Sequence, residues 1–249
     1  MCRVLCCAMT VKYKRKISSD AFTPTGQSRR ETAIAETHPE FVCRVLEEFL
    51  TDARRDTIEN VVSHRTQSLH VAVEGLQDPH NTAAIIRTAD AFGVQNIHII
   101  EGATRFRSSA SVTQGAHKWI DIRIHHNAHD FVSAMKIEGR TVLVAAMDGA
   151  KPVGELTPGE QLVLVFGNES EGITDEMREL ADGAFHIPMY GFVESFNVSV
   201  AAAISISTLR KGGQGDFSAP QQQVLKARYY LRSVRAAYDI LAQHPDFPA

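Results

Sequence analysis

"LHVAVEGLQDPHNTAAIIRTADAFGVQNIHII" (residues 69–100) is the stretch from which the fold is read. Leu69, Val71 and Val73 recur every second residue, the period of a strand. "NTAAIIRTADAFG" is then a helix, with Asn81 placed to cap its start and Gly93 to end it. "VQNIHII" is a second strand. Strand, helix, strand within 32 residues is the repeating unit of a parallel sheet.

The same alternation continues down the chain. "NAHDFVSAMKIEG" (127–139) is a helix between Asn127 and Gly139, and "TVLVAAM" (141–147) and "QLVLVF" (161–166) are strands. "TDEMRELAD" (174–182) is a helix capped by Thr174, and "AFHIPM" (184–189) is a short strand. "NVSVAAAISISTLRK" (197–211) is a helix stopped by Gly212 and Gly213. "RFRSSASVTQGAHKWI" (105–120) has no period and reads as a long loop. The class is α/β, with a mostly parallel sheet flanked by helices. Ligands in such sheets bind beyond the carboxyl ends of strands. Three polar stretches stand there: "EGLQDPHNTAAIIR", "FGNESEGIT" and "IPMYGFVESFNVS".

Helices extend the sheet unit at both ends. In "PEFVCRVLEEFLTDARRDTIENVVSHR" (39–65), Phe41, Val45, Leu46, Leu50, Ile58, Val61 and Val62 recur at helical spacing. "QQQVLKARYYLRSVRAAYDILAQH" (221–244) is one helix, packed through Leu225, Tyr229, Leu231, Val234, Tyr238 and Leu241. Its other side is basic, with Lys226, Arg228, Arg232 and Arg235. The expected division is a mobile extension (1–37), an N-terminal helical extension (38–66), the sheet domain (67–212) and a C-terminal helical extension (213–249).

Composition narrows the class. The 249 residues, 44% hydrophobic and 22% charged, suffice for a buried core. A net charge of −3 does not by itself announce a nucleic-acid partner, although basic faces can be local. No apolar run is long enough to cross a bilayer, so no membrane association is expected. "MCRVLCCAMTVKYKRK" has its basic residues after the apolar ones, the wrong order for a secretory signal, so a cytoplasmic setting is expected. Cys2, Cys6, Cys7 and Cys43 lack metal-ligand spacing and read as reduced thiols; no metal site is expected.

The three polar stretches carry a resemblance. In this order, "NTAAIIRTADAFG", "FGNESEGI" and "IPMYGFVESFNVSVAAA" resemble the three motifs of the SpoU/TrmH family of SPOUT RNA methyltransferases. "ARRDTIENVVSHR" and "GAHKWIDIRIHH" resemble the branch of that family that methylates guanosine 18 of tRNA. The likeness runs from about Leu50 to about Lys211; the departures are the extension before Pro39 and Phe196, where leucine is usual. The resemblance implies a SPOUT fold with a C-terminal deep trefoil knot and a homodimer with its active site at the subunit interface. It implies S-adenosyl-L-methionine as methyl donor and a ribose 2′-hydroxyl of tRNA, alternatively of ribosomal RNA, as acceptor. A catalytically inactive RNA-binding protein is the remaining alternative.

Site residues follow from the same likeness. Arg87 is the implied catalytic residue, set between small and apolar neighbours as a buried cation awaiting an anion. Asn81 stands beside it through tertiary contacts, Glu169 orients the catalytic groups, and Ser195 and Asn197 are polar groups delivered by the knot. Ser199 reads as bonding back to its own helix. Backbone near Ala145, Gly167, Ile187 and Phe196 is expected to hold the adenosine. Arg54, Arg55, Arg65, Arg105, Arg107 and Lys118 are expected to meet RNA phosphates.

Overall fold

A computed structural model describes residues 26–76, 78–101, 115–148, 151–157 and 159–248. Among these residues seven parallel strands form one sheet: β1 (Thr66–Glu74), β2 (Val94–Ile100), β3 (Asp121–His125), β4 (Thr141–Ala145), β5 (Lys151–Pro152), β6 (Leu162–Phe166) and β7 (Gly183–His186). Their order is β3-β2-β1-β6-β4-β7-β5. The chain winds outward from β1 through β2 to β3, then crosses to the other side. A crevice therefore opens between the carboxyl ends of β1 and β6, the switch point where α/β sheets bind ligands.

Two strands escape the sequence pattern. β3 lies in "DIRIH", whose isoleucines are only partly buried at the sheet edge, and β5 has two residues. The helix after β1, α4 (Pro79–Ala91), is capped by Asp78, which accepts from the His80 amide, with Pro79 in the first turn. Asn81 is therefore free of the capping duty expected of it. Gly93 ends the helix region with φ +75°, and a Cβ there would lie 2.4 Å from the His64 carbonyl.

Each face of the sheet has its own core. One joins α4 and α7 (Val198–Leu209) through Ile85, Ile86, Ala202 and Ile206. The other lies under α5 (Ala128–Ile137) and α6 (Asp175–Leu180) through Phe131, Met135 and Met177. Across this second face runs a row of histidines. His70 Nδ1 is 2.9 Å from His98 Nε2, and His98 Nδ1 is 3.0 Å from His125 Nε2. Burial pushes His70 and His98 down to about 2, so both are neutral.

The helical ends form a third core together. It comprises α1 (Gly26–Thr37), α2 (Pro39–Leu46), α3 (Asp52–His64), α8 (Ala219–Ser233) and α9 (Ala237–Ala242). α1 occupies the last twelve residues of the stretch expected to be a mobile extension. It buries Ile34 and Ala35, too few apolar positions to show a period. The expected single C-terminal helix is two, broken where Ala236 adopts φ 54°. Cys43 is buried in this core, and its thiol is pushed up to about 12 by burial. No helix of the described residues is long and apolar enough to cross a membrane.

Arg65, expected on an RNA-binding surface, is 1% exposed and belongs to the junction of helices and sheet. It lies 2.5 Å from Asp90 and over the Tyr229 ring. As the first residue after α3 it enters the interior with β1, which its charge gave no means to foresee. Arg228 is also drawn inward, paired with Asp121, so the face of α8 is less basic than its sequence suggests.

Candidate active site

The crevice at the switch point is built by three turns. Asn81 enters from the first turn of α4, Glu169 from the turn after β6, and Asn197 from the N-cap of α7. Asn197 Nδ2 donates to Asn81 Oδ1 at 3.2 Å, and Asn81 Nδ2 donates to Glu169 Oε1 at 2.5 Å. Asn197 Oδ1 accepts from the amide of Ser199 at 2.9 Å and from its hydroxyl at 2.6 Å. Ser199 thus bonds to the cap rather than back to its helix. A carboxylate only accepts, so Glu169 fixes the flip of Asn81, and Asn81 with the Ser199 amide fixes that of Asn197. Three residues expected at one site meet in one directed chain.

The turn holding Glu169 is tight. Asn168 and Gly172 exchange two backbone hydrogen bonds, at 3.0 and 3.1 Å, and Asn168 Oδ1 accepts from the amides of Ser170 and Glu171. A Cβ on Gly167 would lie 2.1 Å from the Gly172 backbone. The close approach expected of Gly167 toward a ligand is, in the first place, an approach to its own chain.

Arg87 differs from its expected setting. It lies on the outer stripe of α4 and is exposed, with no hydrogen bond or ion pair among the described residues. It makes no contact of that kind with Asn81. Glu169, Ser195 and Asn197 are exposed as well. In the segment leading to Ser195, large apolar side chains are exposed: Tyr190 is 97% exposed, Phe192 108% and Val193 65%.

Beside this chain a cavity of about 450 Å³ opens at the carboxyl ends of β4, β6 and β7. Ala145, Gly167, Ile187 and Phe196, the four expected cofactor residues, all line it, and Ser195 stands on its wall. Phe166, Phe185 and Ile187 give it an apolar lining. Asp148 and Arg178, absent from the expected site residues, add an ion pair to the lining. Asp148 was discoverable, because "VAAMDG" is also a polar ending to a strand. The residues fit S-adenosylmethionine: apolar walls for an adenine, polar groups for its charged end, and a volume within the range of ligand pockets. Among the described residues no group of three or more His, Cys, Asp and Glu side chains is arranged to hold a metal.

The expected RNA contacts are divided. Lys118 is exposed; Arg54 is half-buried, its guanidinium 4.8 Å from the Trp119 ring centroid; Arg55 pairs with Asp52. Arg105 and Arg107 lie outside the described residues.

Comparison with known proteins agrees with this geometry. Residues 68–207 match the SpoU rRNA Methylase family. A tRNA (guanosine(18)-2′-O)-methyltransferase of Thermus thermophilus is 38% identical over 183 residues, 73% of this chain and 89% of that protein. The crystal structure of the A. aeolicus TrmH/SpoU tRNA modifying enzyme superposes with a TM-score of 0.65 at 28% identity, covering 77% of this chain and 99% of that one. The SpoU methyltransferase AviRb of Streptomyces viridochromogenes, solved with its cofactor S-adenosylmethionine, superposes with a TM-score of 0.53 at 25% identity over 59% of this chain and 61% of that one. The chain is a member of the SpoU methylase family, RNA methyltransferases that use S-adenosylmethionine.

Proposed function

We propose that this chain transfers the methyl group of S-adenosylmethionine to the ribose 2′-oxygen of guanosine 18 in tRNA. The observation that carries the reading is the convergence of the four expected cofactor residues on one cavity beside the Asn81–Glu169–Asn197 chain. The bound cofactor supplies an electrophilic methyl carbon. The residues of the chain orient the acceptor and stabilise charge on it. Asn81 and Asn197, locked by Glu169, present fixed dipoles. Arg87, without an anion partner among the described residues, suits an RNA phosphate beside the target ribose. Its charge favours loss of the hydroxyl proton, whereas a guanidinium is too basic to remove that proton readily itself.

The reading extends to partners. Tyr190, Phe192, Val193 and Val200 form an exposed apolar surface beside exposed site residues, which supports a homodimer that completes the site. The deep trefoil knot belongs to the same proposal, as does a cytoplasmic setting. The helical module, with Arg54, Arg55 and Lys118, serves as an RNA grip. The test is transfer of labelled methyl to unmodified tRNA and ribosomal RNA transcripts, with the modified nucleotide mapped. Label on the ribose of guanosine 18 supports the reading. Label only in ribosomal RNA moves the substrate, and cofactor binding without transfer to either leaves an RNA-binding protein.

A further inference from the structure

The cofactor pocket combines an apolar lining with one ion pair, Asp148–Arg178. Arg178, in α6, places Nη1 2.9 and 3.0 Å from the two carboxylate oxygens of Asp148, in the turn after β4. Both residues line the pocket, and Arg178 is the sole arginine or lysine among its described lining residues. The side chains are 44% and 74% exposed, so the pair contributes little to stability. The lining also includes Phe185, Ile187 and Phe196, whose apolar surface suits an aromatic base.

A ligand with a base at one end and adjacent charges of both signs at the other would match both parts of this lining. We propose that the Asp148–Arg178 pair recognises the zwitterionic amino-acid end of the cofactor, Arg178 taking its α-carboxylate and Asp148 its α-ammonium. This rests on the cofactor reading of the pocket. An ion pair facing a zwitterion exchanges one set of charge-assisted hydrogen bonds for two, without leaving a charge unpaired.

The test compares two ligands by titration calorimetry on the full chain. S-adenosylhomocysteine carries the amino-acid end, and 5′-methylthioadenosine lacks it. Arg178→Gln and Asp148→Asn should each weaken S-adenosylhomocysteine about tenfold, the value of one charged hydrogen bond. Binding of 5′-methylthioadenosine should change by less than about twofold, since an altered pocket shape would weaken both ligands alike. Equal losses for the two ligands, or no loss for either, overturn the assignment. If the unmodified protein binds neither ligand, the cofactor reading of the pocket falls, and the assignment with it.

Discussion

Two arginines mark two regions built on opposite terms. Arg65, at the junction of the helical module and the sheet, is 1% exposed, paired with Asp90 and covered by Tyr229. Arg87, on the outer stripe of α4, is exposed and has no partner among the described residues. Charge for Arg65, and immediate neighbours for Arg87, suggested the reverse. At the junction two arginines are paired within the chain, Arg65 with Asp90 and Arg228 with Asp121, and the Tyr229 hydroxyl donates to the Trp119 carbonyl. At the crevice the polar groups hold one another in place but leave an exposed cation unanswered. A region that satisfies itself contributes stability, whereas a region that does not is prepared for something from outside.

Substitution of the two arginines should separate these terms. Arg87→Ala should lower single-turnover methyl transfer ~10²–10³-fold, as removal of a charge-stabilising donor does, with melting unchanged. A loss of melting temperature instead would make Arg87 structural and erase the contrast. Arg65→Ala should behave oppositely, costing about 3 kcal/mol in urea unfolding because Asp90 loses its partner inside the junction. If it folds with normal stability and binds RNA weakly, the junction is a surface after all.

The histidine row adds a pH dependence confined to the structural side. His70 and His98 have folded values near 2, against an ordinary 6.5. Below pH 6.5 the unfolded chain takes up protons that the folded chain does not. Stability present above that pH is therefore lost as pH falls toward about 2, at most about 1.4 kcal/mol per pH unit for each histidine. Unfolding curves at pH 7 and 5 measure it, and a His70→Leu, His98→Leu double variant should flatten the difference. The smallest effect belongs to Arg54→Ala: a shallower salt dependence of tRNA binding, by at most about one unit of slope. An unchanged slope removes Arg54 from the RNA grip.

How much of this was legible in the sequence follows from what each feature depends on. The strands β1, β2, β4, β6 and β7 were readable because each is apolar or alternating between turn signals. β3 carries the same alternation, Ile122 and Ile124 between Asp121, Arg123 and His125, but over only five residues and with no turn residue setting it off from the preceding Trp119 and Ile120. The three motifs located Asn81, Glu169 and Asn197, yet their joining depends on strand order, which no local spacing carries. Exposure of Arg87 was readable: 80, 84, 87 and 91 follow the helical period opposite buried Ile85, Ile86 and Ala89. Burial of Arg65 was not, because Tyr229 and Asp90 are remote in sequence and reach it only through the tertiary fold.

The central claim is that this site methylates one ribose oxygen. The direct measurement uses a tRNA transcript ligated with 2′-deoxyguanosine at position 18, beside the all-ribose transcript. The account predicts full methyl transfer to the all-ribose tRNA and none to the deoxy-substituted one, with equal binding of both. Undiminished transfer to the substituted tRNA would contradict it.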